Sequence, residues 1–169
     1  MMENGPATPW SIRGFEPADL PACRELYREG LLGGKISEND TALDLDDIDA
    51  VYMKNPGNHF WVAADDGKIV GMIGVQHHDE GVGEIRRLRV ANSHRRQGIG
   101  SALVEQALRF CQERGYLKIT LDTFLEREPA IKLFEKFRFR HHRTRNVAGK
   151  DLMYFYLDLY MGEEQPKTQ

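Results

Sequence analysis

Apolar side chains along this chain recur in two rhythms, one with a helical period and one suited to short strands. In the segment 98–114, Ile99, Leu103, Ala107 and Phe110 form one apolar row and Val104, Leu108 and Cys111 the next. That spacing predicts a long amphipathic helix, stopped by Gly115. Leu20, Cys23, Leu26 and Tyr27 keep the same period earlier in the chain. This first helix is expected to start at Glu16-Pro17-Ala18-Asp19, with Asp19 as N-cap and Pro21 in its first turn, and to end at Gly30. Pro129 followed by Ala130, Leu133, Phe134 and Phe137 predicts a short third helix. Strands are expected at Trp10 to Phe15, His59 to Ala64, Lys68 to Gln76, Gly83 to Val90, Lys118 to Phe124, Phe139 to Arg145 and Leu152 to Tyr160. Asp66-Gly67 suits the type I′ turn of a hairpin between the second and third of these. Leu31 to Asn58 is irregular and acidic, with a short helix near Asp44 to Lys54.

The order is therefore β-α-(α)-β-β-β-α-β-α-β-β, without repeats or a linker that would divide it. The unit from Glu84 to Phe124 is long enough for a right-handed parallel crossover, whereas the Asp66-Gly67 hairpin must be antiparallel. The expectation is one α/β (mixed α+β) domain over residues 10–160, with polar tails at 1–9 and 161–169. Charge matters here mainly for what it excludes. With 23 Lys and Arg against 26 Asp and Glu, the net charge of −3 gives no bulk drive toward nucleic acid or anionic membrane. The longest apolar run, Ile69 to Val75, falls far short of the ~18 residues of a membrane span. Met1 to Pro9 shows no basic stretch and no apolar core, so no signal peptide is expected. Cys23 and Cys111 cannot make a disulfide framework. A cytoplasmic location follows as the expectation.

The chemistry is concentrated in Glu84-Ile-Arg-Arg-Leu-Arg-Val90, Ala-Asn-Ser-His94 and Arg95-Arg96-Gln97-Gly98-Ile99-Gly100-Ser101. A strand runs into a loop with two arginines and two glycines, and the loop opens the long helix. Such a turn is an anion site, because first-turn N–H groups are unpaired and the helix dipole favours negative charge. Arg95 and Arg96 add charge-assisted donors. No Gly-Lys-Ser/Thr follows the glycines, so it is not a Walker loop, and Leu103 occupies the third glycine position of a dinucleotide fingerprint. A strand-helix turn with merely solvated arginines is the competing reading.

Arg95-Arg96-Gln97-Gly98-Ile99-Gly100 resembles the (Gln/Arg)-x-x-Gly-x-(Gly/Ala) signature of the GNAT superfamily of acetyl-CoA-dependent N-acetyltransferases. The resemblance extends to Ser11-Ile12-Arg13 with Glu16-Pro17-Ala18-Asp19, to Phe60-Trp61-Val62-Ala63 with Ile69-Val70-Gly71, and to Ala130–Phe139. Phe60–Ala63 and His94–Ile99 look similar to amino-acid and cysteine-conjugate acetyltransferases, relatives that carry a membrane segment. The resemblance implies a mostly antiparallel mixed sheet, with a central parallel pair splayed at the coenzyme A site and helices on both faces. It implies that the amides of Gln97, Gly98, Ile99, Gly100 and Ser101, with Arg95 and Arg96, hold the pyrophosphate of acetyl-CoA. Leu88, Arg89 and Val90 would pair with the pantetheine arm, and the Val90 N–H would stabilise the oxyanion. Glu84 stands where many members place a general base, which an amine near a pKa of ~10.4 requires at pH 7. A strand-end carboxylate beside Arg86 or Arg87 remains the alternative.

Two residues depart from the family pattern. Leu133-Phe134 replaces the Leu-Tyr pair whose hydroxyl protonates the leaving thiolate; Tyr154 and Tyr156 are the candidate substitutes. Arg138 stands where Gly is usual, at ~1 kcal/mol if the position is left-handed. His77-His78-Asp79 reads as a solvated loop, since adjacent strand residues face opposite sides and cannot easily share a metal, and no metal is expected. Cys23 and Cys111 read as core. The basic run Arg138, Arg140, His141, His142, Arg143 and Arg145 is a solvated face, a contact to the 3′-phosphate or an anionic substrate, or a nucleic-acid patch; the net charge and the lack of a stacking pattern argue against the last. The acidic stretch Glu38 to Asp49 would suit a cationic amine, or is a solvated loop. The expected activity is direct transfer from acetyl-CoA to an amine in a ternary complex, without membrane or nucleic-acid partners, a homodimer being open. A non-catalytic acyl-CoA-binding module is the alternative.

Overall fold

The computed structural model describes residues 8–29, 41–125 and 128–159. One seven-stranded sheet runs through it in the order β1-β2-β3-β4-β5-β7-β6. The strands are β1 (Trp10–Gly14), β2 (His59–Asp65), β3 (Lys68–Asp79), β4 (Val82–Val90), β5 (Lys118–Phe124), β6 (Arg140–Val147) and β7 (Lys150–Asp158). Every neighbouring pair is antiparallel except β4 and β5, which are joined by the crossover helix α2 (Ile99–Glu113). The mixed sheet with one central parallel pair is the architecture expected from the element order. At the first hairpin Asp66 has φ +52° and Gly67 φ +84°, the double left-handed signature of a type I′ turn.

Helix α2 buries Ile99, Leu103, Val104, Ala107, Phe110 and Cys111, the two apolar rows of its sequence. Helix α1 (Leu20–Glu29) buries Cys23 and Leu26, and α3 (Glu128–Lys136) buries Ala130, Ile131 and Phe134. Tyr52, Phe60, Val62, Val70 and Ile73 are fully enclosed at the centre of the core. Burial pushes the thiols of Cys23 and Cys111 up to about 12, as befits core cysteines.

The start of α1 corrects the expected cap. Asp19 is not an N-cap. A 3-10 turn, Pro17–Asp19, precedes the helix with Glu16 as its cap residue. The Asp19 carboxylate accepts the Glu16 N–H at 2.8 Å and both Arg13 Nη atoms at 2.8 and 3.0 Å. Burial raises its pKa, but these donors outweigh burial and hold it below the usual range. The expected end at Gly30 lies outside the described residues. Nor is the Asp44–Lys54 region a continuous helix: it forms a 3-10 turn, Leu43–Asp46, and one π turn, Asp49–Met53. β3 runs three residues past its expected end, so His77, His78 and Asp79 lie in strand rather than loop.

Phe139 is not part of β6; it closes α3. The Phe139 N–H donates to the Phe134 carbonyl at 3.1 Å and the Arg138 N–H to the Glu135 carbonyl at 2.9 Å, a Schellman motif. Its apolar contact is Phe134 on Phe139, edge to face at 5.5 Å between ring centres. Arg138 holds the left-handed position at φ +72°. Arg138→Gly should therefore stabilise the fold by about 1 kcal/mol, read as a rise in melting temperature.

Candidate active site

The parallel ladder between β4 and β5 is short. It joins Val82 to Lys118, Gly83 to Ile119 and Glu84 to Thr120, and stops there. On its other side β4 continues along β3 to the Val90–Gly71 pair, through an irregularity between Arg86 and Arg89. Within this bulge Arg87 takes φ +61°. The Ala91 N–H donates to the Val70 carbonyl at 2.8 Å. This makes Val90–Gly71 a non-hydrogen-bonded pair, so the N–H and C=O of Val90 face away from β3, toward the gap. Val90 thus presents its peptide on the open side of β4, at the end of the Leu88–Val90 segment, where an extended ligand can add as a strand.

The chain leaves β4 through Ala91 and a 3-10 turn, Asn92–His94. His94 Nε2 lies 2.7 Å from Asp65 Oδ2, and the Asn92 N–H donates to Glu29 Oε2 at 3.1 Å. Arg96 then takes φ +63° and Gly98 φ +85°, and Gly98 caps α2 without a side-chain hydrogen bond. A Cβ on Gly98 would meet nothing within 4 Å, so glycine serves the left-handed backbone there. Gly100 has a different reason: its Cβ would stand 3.2 Å from Leu133 Cδ2 of α3. The first intrahelical bond runs from the Ala102 N–H to the Gly98 carbonyl at 3.0 Å, leaving the N–H groups of Ile99, Gly100 and Ser101 at the open end. Beside them, Arg95 Nε is buried without a hydrogen-bond partner among the described residues. Lys136, which sequence reading did not single out, reaches Ser101 Oγ with Nζ at 3.1 Å. An orphaned guanidinium nitrogen, an uncapped helix and a nearby ammonium fit a pyrophosphate. The only sequence signal for Lys136 was its place in the last turn of α3.

Glu84 ends the parallel ladder. Its carboxyl is 27% exposed and lies 4.0 Å from His78 Nδ1. Burial raises its pKa and Asp122 adds to the rise, against opposing pulls from Arg86, His78 and Arg87. The register sets Gln76, Glu84, Thr120, Tyr156 and Arg140 in one row across the sheet, with Asp122, Tyr154 and Arg143 in the next. Tyr154 and Tyr156 therefore share the face of Glu84; the Arg143 guanidinium stacks 4.1 Å from the Tyr154 ring centre. Of the two arginines weighed as neighbours, Arg86 donates to Gln76 Oε1 at 2.8 Å, while Arg87 turns to Asp44. Phe134 is core, 4% exposed. The basic run is mostly on β6, the exposed outer strand, with β7 and β5 between it and β4.

The acidic stretch is not a free counter-charge for a cation. Asp44 is buried against Arg87, Asp46 faces Arg24 at 3.8 Å, Asp47 accepts the Ala50 N–H and Asp49 pairs with Lys54 at 3.0 Å. Glu38 and Asp40 lie outside the described residues.

Residues 20–139 match the acetyltransferase (GNAT) family. The chain belongs to it. It is 38% identical over 126 residues to human N-acetylaspartate synthetase, covering 74% of this chain and 41% of that protein. Human N-acetyltransferase 8 is 36% identical over 102 residues, 57% of this chain and 45% of that one. The chain thus spans less than half the length of these curated relatives. A Salmonella typhimurium structure solved with its cofactor acetyl-CoA superposes with a TM-score of 0.77 at 20% identity, over 95% of this chain and 99% of that one. It shares the GNAT fold. No helix among the described residues is long and apolar enough to cross a membrane.

The raised pKa of Glu84 has a consequence for stability. A carboxyl whose folded pKa exceeds its unfolded value makes stability fall as pH rises through the window between the two. At a pH above both values the cost is fully present, and at a pH below both it vanishes. Glu84→Gln should therefore raise the melting temperature at pH 7 and lose that advantage near pH 4, in paired thermal melts.

Proposed function

We propose that the protein transfers an acetyl group from acetyl-CoA to a primary amine within a ternary complex. The observation that carries this reading is the early end of the β4–β5 ladder at Glu84, which leaves a half-buried carboxyl, the outward Val90 peptide and the head of α2 around one gap. Acetyl-CoA supplies the acyl group as a thioester. The amides of Gln97, Gly98, Ile99, Gly100 and Ser101, with Arg95 and Arg96, hold its pyrophosphate. Leu88, Arg89 and Val90 align the pantetheine arm through their backbones. Glu84, as base, takes the proton of the attacking amine directly or through one water, and its raised pKa brings it closer to the working pH. The Val90 N–H donates to the carbonyl oxygen as negative charge builds there. The carbon–sulfur bond then breaks, and Tyr154 or Tyr156 on the same face protonates the thiolate. We place the reaction in the cytoplasm, where free thiols such as Cys23 and Cys111 stay reduced.

The relatives named N-acetylaspartate synthetase support an amino acid as acceptor. Arg86, two residues from Glu84 on the same strand face, suits its carboxylate.

Calorimetric titration with acetyl-CoA tests the first half of this reading. Binding should be micromolar or tighter, and Gly98→Asp should abolish it by setting a carboxylate against the pyrophosphate. No binding at millimolar ligand removes the assignment.

An amine panel then tests the second half. Glu84→Gln should cut kcat by ~10²–10⁴ with acetyl-CoA affinity unchanged. The deficit should narrow as pH approaches the amine pKa, because free amine then forms unaided. A wild-type kcat in the variant makes Glu84 structural. Tight binding without turnover on any amine leaves an acyl-CoA-binding module.

A further inference from the structure

The bulge that parts β4 from β5 contains a side chain the chemistry above does not use. Arg87 holds φ +61°, a conformation that residues with a Cβ resist by roughly 5- to 30-fold in population. Its guanidinium nevertheless turns inward. Nη2 donates to Asp44 Oδ1 at 2.6 Å and Nε to Asp44 Oδ2 at 3.0 Å. The two side chains are only 6% and 9% exposed. Tyr52 Oη donates to the same Asp44 Oδ2 at 2.6 Å, and Arg87 lies 5.4 Å from the Tyr27 ring centre on α1. Burial alone would raise the Asp44 pKa, but the bonds from Arg87 and Tyr52 hold it below the usual range. Tyr52 in turn reaches this place because Gly74, the partner of Arg86 across the ladder, has no Cβ; one there would stand 2.9 Å from the Tyr52 ring. A fork-to-carboxylate pair of this kind fixes orientation as well as charge.

We propose that the buried Asp44–Arg87 pair is a positioning device: it holds β4 in the bulge that turns the Leu88–Val90 peptides toward the thioester. The 3-10 turn Leu43–Asp46 is thereby tied to the acetyl-CoA strand. This rests on the acetyltransferase reading for its catalytic consequence, but not for its structural one. Without the pair, the left-handed backbone at Arg87 loses the two-pronged contact that opposes its cost. β4 then relaxes toward regular extended geometry, and the ligand must rebuild the bulge on binding.

Two double variants separate this from a merely stabilising ion pair. Asp44→Asn with Arg87→Gly and Asp44→Asn with Arg87→Ala both remove the pair and both leave positions 44 and 87 uncharged. They differ by one Cβ, which only the left-handed backbone resists. Below their melting temperatures, the glycine variant should keep acetyl-CoA affinity and kcat within about threefold of wild type, and the alanine variant should bind about tenfold more weakly. Amide hydrogen exchange at Leu88 and Val90 reads the bulge with no ligand present. It should keep wild-type rates in the glycine variant and shift in the alanine variant, with the rest of the sheet unchanged. Equal exchange rates in the two variants overturn the proposal. Wild-type protein that fails to bind acetyl-CoA sinks the acetyltransferase reading and leaves the exchange comparison standing. If either double variant does not fold, Tyr52→Phe, which keeps the ring and removes one bond to Asp44, takes its place. Exchange at Leu88 and Val90 should then shift severalfold, and unchanged rates overturn the proposal.

Discussion

Parallel strands that stay in register consume the peptide groups along their shared edge. Here three pairs form and the ladder ends at Glu84, just before the bulge at Arg87. Everything proposed for the site depends on that separation. It leaves the Val90 peptide, already turned away from β3, unclaimed by β5 as well, it puts Glu84 at the mouth of the gap, and it carries β4 into the turn that opens α2. Glu29 and Asp65 fasten this turn to α1 and to the first hairpin, so the anion-facing amides sit on a braced support.

The molecule treats its sheltered carboxyls in two ways. Asp19 and Asp44 each meet a guanidinium in a two-pronged contact that outweighs the cost of burial. Glu84 is also sheltered, yet His78 stands at 4.0 Å and Asp122 adds like charge, so burial wins. Environment alone pushes carboxyls of one chemistry in opposite directions, two toward permanent charge and one toward proton exchange. The same contrast separates structural from reactive acids elsewhere in protein chemistry.

Much of this architecture was legible in the residues. The two apolar rows of α2, the Asp66-Gly67 turn and the arginine-glycine stretch each depend on neighbours within a few positions, which is where pattern reading works. The misses have a different origin. Nothing local marks Arg87 as left-handed, since its partner Asp44 lies 43 residues away. Asp19 looked like a cap from its place ahead of the apolar row, but it stands third in the 3-10 turn, where its carboxylate accepts the Glu16 N–H and pairs with Arg13. The segment near Asp44 to Lys54 has the composition of a short helix, but the non-helical backbone of Asp47, φ −149° and ψ +75°, divides it into a 3-10 and a π turn. Lys136 meets Ser101 only after α2 and α3 pack, which Gly100 permits.

The outer strand β6 has a consequence of its own. Its residues from Arg140 to Asn146 are exposed, and among the described residues no strand pairs with its outer edge, which faces any passing chain. Yet Arg140, Arg143 and Arg145 line it. Two copies meeting there would bring guanidinium rows together, and the repulsion would act before any peptide bonds could form across the edge. This strand is thus its own guard against ladder growth into aggregates, and the guard weakens as added salt screens it.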